Sequence, residues 1–221
     1  MGGFWLLVGF FMLIGSIVGG RLKSIMNKYS KVPIRSGLSG ADVAKAMLED
    51  YGVQGVKITQ GRGMLTDHYN PRTRTISLSP AIFQGRSIAA AAVAAHESGH
   101  AVQHATGYQW LKLRSNLVPV VSLSSKFYLV LIIAGIALNS MGLAGIGIAL
   151  FGFTTVFALV TLPVEYDASN RALKWLDNTR VLGDREMQGA KTALKWAART
   201  YVVAAIASAA QLLYWVAMMR R

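Results

Sequence analysis

Polarity along this 221-residue chain changes in long blocks rather than in short amphipathic periods. Phe4 to Gly20 (FWLLVGFFMLIGSIVGG) carries no charge, Arg21 to Leu117 is mixed, and Phe127 to Leu162 is again uncharged. Pro163 to Thr200 is polar, and Tyr201 to Met219 is apolar with Gln211 as its one strongly polar residue. About 17–25 apolar residues suffice to cross the hydrocarbon core of a bilayer. The pattern therefore predicts one span over 4–20 and two over 118–162, closing as a hairpin at Asn139-Ser140-Met141-Gly142. A fourth span is expected over 201–219, with a helix lying partly in the interface as the fallback. Ser122, Ser124, Ser125 and Lys126 interrupt the start of the second span. Either Lys126 snorkels to the interface or these polar groups face a wet cavity. The expected fold is mainly α and integral to the membrane, with about four transmembrane helices.

The mixed blocks read differently. Over 21–117, Ser39 with Asp42 resembles a helix cap, and Val43, Ala44, Met47 and Leu48 give Ala41 to Tyr51 a helical period. Val56, Ile58 and then Met64 to Ser79 alternate as strands do. Asn70-Pro71-Arg72-Thr73 supplies turn chemistry, so DHYNPRTRTISLS predicts a small β-hairpin. Over 163–200 two helices are expected, Val164 to Leu176 and Arg185 to Arg199, with Pro163 in the first turn of the former.

Composition sharpens this picture. The chain is 53% hydrophobic and only 15% charged, with a net charge of +13. The basic residues form no dense patch with interleaved aromatics, and nucleic acid is not an expected partner. They mark topology instead. Arg21, Lys23, Lys28 and Lys31 follow the first span, and Arg171, Lys174, Arg180, Arg185, Lys191, Lys195 and Arg199 populate 163–200. The loop near Asn139 to Ala144 has none. Positive residues stay inside, so both polar blocks belong in the cytoplasm and the N-terminus outside. There is no cysteine, so any metal must be held by His, Asp or Glu. Gly135, Gly142, Gly145, Gly147 and Gly152 permit close helix contact, within one chain or in a homo-oligomer.

The candidate chemistry lies in Ser87 to His104 (SIAAAAVAAHESGHAVQH), an alanine-rich stretch expected to be helical over 87–105 and to stop by Gly107. It contains H-E-x-x-H as His96, Glu97 and His100. Residues four apart stack on one helix face, roughly 5–6 Å between Cβ atoms, so both imidazoles can reach one metal. Glu97 then stands where its carboxylate can act on a metal-bound water. Gly99 keeps that side of the helix slim.

A catalytic zinc needs a third protein ligand. His104 shares the face, but on a straight helix it starts about 12 Å from His96, too far for three such histidines to converge. Glu165, in TLPVEYDASNRA, is the first candidate, because two membrane crossings return it to the side His100 left. Its alternative role is an N-terminal acid favoured by the helix dipole. Asp167 is the second candidate, and Asp67 and His68 are the third.

LTDHYNP, the His96–His100 helix and TLPVEYDASNRAL together resemble the bacterial neutral zinc metallopeptidases of the YugP type, from about Phe4 to Met218. More distantly the layout resembles the HtpX and Ste24 membrane proteases, which carry an acid four residues after their third-ligand glutamate. Here Ser169 holds that position and Asp167 stands at plus two. The resemblance implies a zincin-like cytoplasmic part, one Zn2+ per chain on His96, His100 and Glu165, Glu97 as catalytic carboxylate, and peptide or protein substrates. It also implies a bacterial membrane protein, and the positive-inside charges lead to the expectation of the cytoplasmic membrane with the active site facing the cytoplasm. His68, Tyr166, His104 and Arg171 are candidates for oxyanion or substrate contacts, and Asp167 and Asp67 for supporting the ligands. The hairpin could offer an edge to an extended substrate. Two competing readings remain: a non-catalytic membrane scaffold with a structural or vestigial zinc site, and a basic adaptor binding anionic lipid through Arg21 to Arg35. The intact Glu97 weighs against the first, and topology signalling explains the charges of the second.

Overall fold

The structure is a computed structural model that describes residues 2–63 and 66–220. The expected alternation at positions 64 and 65 lies outside the described residues. Among those residues the elements run α1 (Gly2–Ser30), α2 (Gly40–Asp50), β1 (Lys57–Gln60), β2 (His68–Asn70), β3 (Thr75–Leu78), α3 (Pro80–Phe83), α4 (Ile88–Ala105), α5 (Gln109–Ala137), α6 (Met141–Asn178) and α7 (Asp184–Met219). The chain divides into two compact units.

One unit comprises Gly19–Leu111 and Val164–Ala198. Its α2 begins at a reciprocal cap: the Asp42 amide donates to Ser39 Oγ (3.2 Å), and the Ser39 amide donates to Asp42 Oδ2 (2.9 Å). Val43, Ala44, Met47 and Leu48 then fall on one face and are buried. The sheet order is β1-β3-β2, with β3 central, parallel to β1 and antiparallel to β2. Its strands are short, and on β3 Ile76 and Leu78 alternate inward while their neighbours do not. The β2–β3 hairpin follows the sequence reading, closed by Asn70 Oδ1 accepting from the Arg72 amide (2.9 Å). The parallel partner β1 was not legible as a pairing. Behind the sheet, α4 is capped by Ser87, whose Oγ accepts from the Ala90 amide (3.2 Å), and the chain leaves it through Gly107 at φ 66°. Its alanines are buried with Trp175, Leu176 and Leu194 in one core. Small side chains allow that burial at close helix spacing.

The other unit comprises the chain up to Val18, Lys112–Pro163, and the chain from Arg199. Among the described residues four helices are long and apolar enough to cross a membrane: α1, α5, α6 and α7. Trp5, Leu6, Phe10, Met12, Leu13 and Ile17 lie exposed on α1, as side chains facing lipid do. Gly135 and Gly147 sit where α5 and α6 touch; a Cβ at Gly147 would come within 2.8 Å of the Ile132 backbone. Gly142 and Gly152 have nothing within 4 Å of such a Cβ. Lys126 is exposed and Ser124 buried. Thr155 Oγ1 and Ser208 Oγ share a 2.8 Å hydrogen bond, which satisfies two hydroxyls within apolar sequence.

The long helices correct one expectation. The expected helix start near Arg185 is found at Asp184, but no helix ends or begins at Pro163 or between Arg199 and Tyr201: α6 and α7 run unbroken through apolar and polar sequence, and Pro163 lies inside α6. Proline removes one backbone bond. Ending a helix at that point would free four carbonyls, a larger cost at the edge of an apolar run. Glu165 is consequently a mid-helix residue, and the N-terminal dipole explanation for it falls away.

The cap offers a stability test. Hydrogen bonds from the Ser39 side chain and backbone hold the Asp42 carboxyl below its ordinary 3.8. Folding thus favours the ionised form, so the stabilisation is complete above 3.8 and is lost as pH falls through the folded value. Ser39→Ala should cost about 1 kcal/mol in detergent thermal unfolding near neutral pH. The gap between wild type and Asp42→Asn should close in acid.

Candidate metal centre

Two helices of the polar unit bring three donors together. His96 and His100 project from α4, one turn apart, with ring centroids 4.8 Å apart at 81°. Glu165 reaches them from α6: its Oε2 lies 3.2 Å from His96 Nε2 and 3.6 Å from His100 Nε2. All three donor atoms fall within 4.8 Å of one another. Nitrogen and oxygen ligands about 2.0–2.2 Å from one tetrahedral zinc stand roughly 3–3.5 Å apart, so this set fits zinc with a fourth position left over. Glu165 is 2% exposed and His100 6%. A carboxylate so buried needs a charged or hydrogen-bonding partner.

The approach is set by Gly99. A Cβ there would stand 2.6 Å from the carbonyl oxygen of Ala168 on α6. Only a residue without a side chain lets the α6 backbone come this close, on the same turn of α4 that carries His100.

The outer imidazole nitrogens are also held. His100 Nδ1 is 3.0 Å from Gln103 Oε1, and His96 Nδ1 is 3.1 Å from Ser169 Oγ. The amide nitrogen of Gln103 donates to the Val164 carbonyl and to Asp167 Oδ2, both at 2.8 Å. With both amide protons used, Gln103 Oε1 must accept, so His100 Nδ1 donates and its Nε2 presents a lone pair. Asp167 in turn accepts from Arg171 Nε (2.6 Å). Such outer partners fix tautomer and ring orientation in metal sites.

Glu97 is 8% exposed on α4 beside β2. Burial pushes its carboxyl up to about 7, opposed by the positive influence of His96 and reinforced by Glu165 and Asp67. A backbone hydrogen bond from Tyr69 partly offsets this rise. A carboxyl poised near neutrality can both take and return a proton.

The remaining candidates are dispersed. Asp67 accepts from the Ser79 amide (2.7 Å) and hydroxyl (3.2 Å), which ties the start of β2 to the end of β3. Asp167 lies outside the donor cluster, in the outer network. His68 Nδ1 is engaged by the Thr66 carbonyl (2.8 Å), and Tyr166 is exposed. Arg171 bonds Asp167 and lies over the Tyr108 ring at 5.8 Å. His104 sits outside the cluster, its Nδ1 2.7 Å from the Tyr69 hydroxyl. Sequence reasoning did not single out Gln103 or Tyr69. The only sequence signal at Gln103 is its place three residues after His100 on the same helix; its complete burial is visible only in the structure. Ser169, noted only as a departure from related proteases, occupies a useful place against His96.

Comparison with known proteins agrees with this geometry. The family model described as "Putative neutral zinc metallopeptidase" matches residues 4–220. The chain is 42% identical over 196 residues to "Putative membrane protease YugP" of Bacillus subtilis (strain 168), covering 89% of this chain and 87% of that protein. No solved structure matches it. The chain belongs to this neutral zinc metallopeptidase family.

Two substitutions test the scaffold of the site. Glycine to alanine at an unhindered helix position gains up to about 1 kcal/mol. Gly99→Ala should do the reverse, lowering both unfolding temperature and the zinc retained after dialysis, because α6 must move away. Gln103→Leu should weaken zinc affinity by about 10–100-fold in a chelator competition titration.

Proposed function

We propose that this chain is a zinc-dependent metalloendopeptidase of the bacterial cytoplasmic membrane, holding one zinc per chain. The observation that carries the proposal is the convergence of His96, His100 and Glu165 with a buried Glu97 on the same helix as the histidines. A structural site would need the three donors but not Glu97.

When bound by these residues, zinc supplies Lewis acidity, polarising a substrate carbonyl and making water a nucleophile near neutral pH. The chain supplies the rest. His100 is oriented by Gln103 and His96 by Ser169, so each presents Nε2. Glu97 takes a proton from the attacking water and delivers it to the departing amine, and the low exposure of the site limits competition from bulk water. His104 follows Glu97 by seven residues on α4, and its Nδ1 is hydrogen-bonded to the hydroxyl of Tyr69 on β2. The bonds that Arg171 makes to Asp167 suit it to supporting the ligands. The basic residues of 21–35 and 163–200 favour the cytoplasmic face for this chemistry.

Glu97→Gln in detergent should keep wild-type zinc and lose cleavage of a casein-type substrate by about 10²–10⁴-fold. Unchanged cleavage with zinc retained would remove Glu97 from the mechanism. For topology, a reporter fused after Ser140 should be active outside the cell; cytoplasmic activity there would invert the orientation.

A further inference from the structure

Beyond the zinc donors, we infer a second site that recognises a carboxylate of the peptide substrate about three residues from the cleaved bond. This inference rests on the peptidase reading. A cavity of about 290 Å³ lies beside the second half of α4. Its polar wall is Gln54, Tyr69, Arg74 and His104, and its apolar floor includes Val56 and Ala101. Among the described residues that line it, none is acidic.

The wall consists mainly of donors. Tyr69 and His104 share one hydrogen bond, hydroxyl to Nδ1. If the phenol donates, His104 must carry its proton on Nε2; if Nδ1 donates, the phenol proton remains unspent. Either way the pair keeps one N–H or O–H for a ligand. Arg74 adds a permanent planar cation suited to a carboxylate. The backbone at Arg74 is left-handed, φ 49°. Glycine or asparagine adopts that conformation more readily. From this turn position the exposed Arg74 lines the cavity.

Position links the cavity to the reaction. Glu97, Ala101 and His104 follow an i, i+4, i+7 stripe and so share a face of α4. Seven residues at 1.5 Å each put His104 roughly 10 Å along the axis from Glu97. An extended peptide rises about 3.3 Å per residue, so a chain running along α4 from the reacting carbonyl brings its third residue to the cavity. The carboxylate could be an internal Asp or Glu side chain or the free C-terminus of a short peptide.

The test uses the full-length zinc-loaded protein in detergent. Fluorogenic peptides would carry Glu, Gln or Lys at each position from four before to four after the cut, with free or amidated C-termini. Cleavage kinetics of wild type and Arg74 variants would be measured, with anisotropy binding to the Glu97→Gln protein. At one position about three residues from the cut, Glu should exceed Gln about fivefold in kcat/KM, chiefly through KM, and the preference should shrink with ionic strength. Arg74→Lys should keep the preference, Arg74→Gln erase it, and Arg74→Glu turn it toward Lys. Loss of preference on amidation rather than on Glu→Gln exchange would support the pocket with the C-terminus as its ligand. Cleavage of all peptides with equal kcat/KM would overturn the pocket and leave the peptidase reading standing. Failure to cleave or bind any peptide would overturn both.

Discussion

The contact on which the site depends is the approach of the α6 backbone to Gly99 of α4. Everything chemically distinctive follows from that one missing side chain. It lets Ala168 lie against the helix that carries the histidines, and this puts Glu165, one turn earlier on α6, against both imidazoles. A methyl group at position 99 would have to push one helix away from the other. The alanines of α4 serve the same end, because they bury the helix without adding bulk.

Once the helices are this close, the electrostatics are tightly constrained. A nearly buried carboxylate faces two imidazoles, and a second carboxyl, Glu97, stands next to the first of them on the chain. The arrangement is tolerable only with a cation or protons to share, and it fits a divalent metal well. The outer hydrogen bonds extend the constraint. Gln103 must orient its oxygen to His100 because the Val164 carbonyl and Asp167 claim its two protons. Arg171 holds the Asp167 carboxylate in place to accept. Orientation therefore runs from the half-buried Arg171 through Asp167 and Gln103 to an imidazole lone pair.

Much of this was legible in the sequence because it is local. The cap at Ser39, the turn at Asn70 to Thr73, the four apolar runs and the histidine spacing are all encoded locally. The meeting of His100 with Glu165 was legible more indirectly, through the even number of crossings between them. What could not be read depends on tertiary contact. The β1–β3 pairing joins strands separated by a third. The continuity of α6 through Pro163 reflects the cost of ending a helix at an apolar boundary, which outweighs the local signal of a proline. Gln103 was hidden because a buried glutamine is identified by its partners, all but one of which lie on another helix.

The most direct measurement is diffraction from crystals of the zinc-loaded protein at wavelengths on either side of the zinc absorption edge. A zinc held as proposed gives one anomalous peak per chain, about 2.0–2.2 Å from His96 Nε2, His100 Nε2 and a Glu165 carboxylate oxygen. A peak centred on other residues, or a bound zinc with Glu165 turned away from it, would contradict this metal centre.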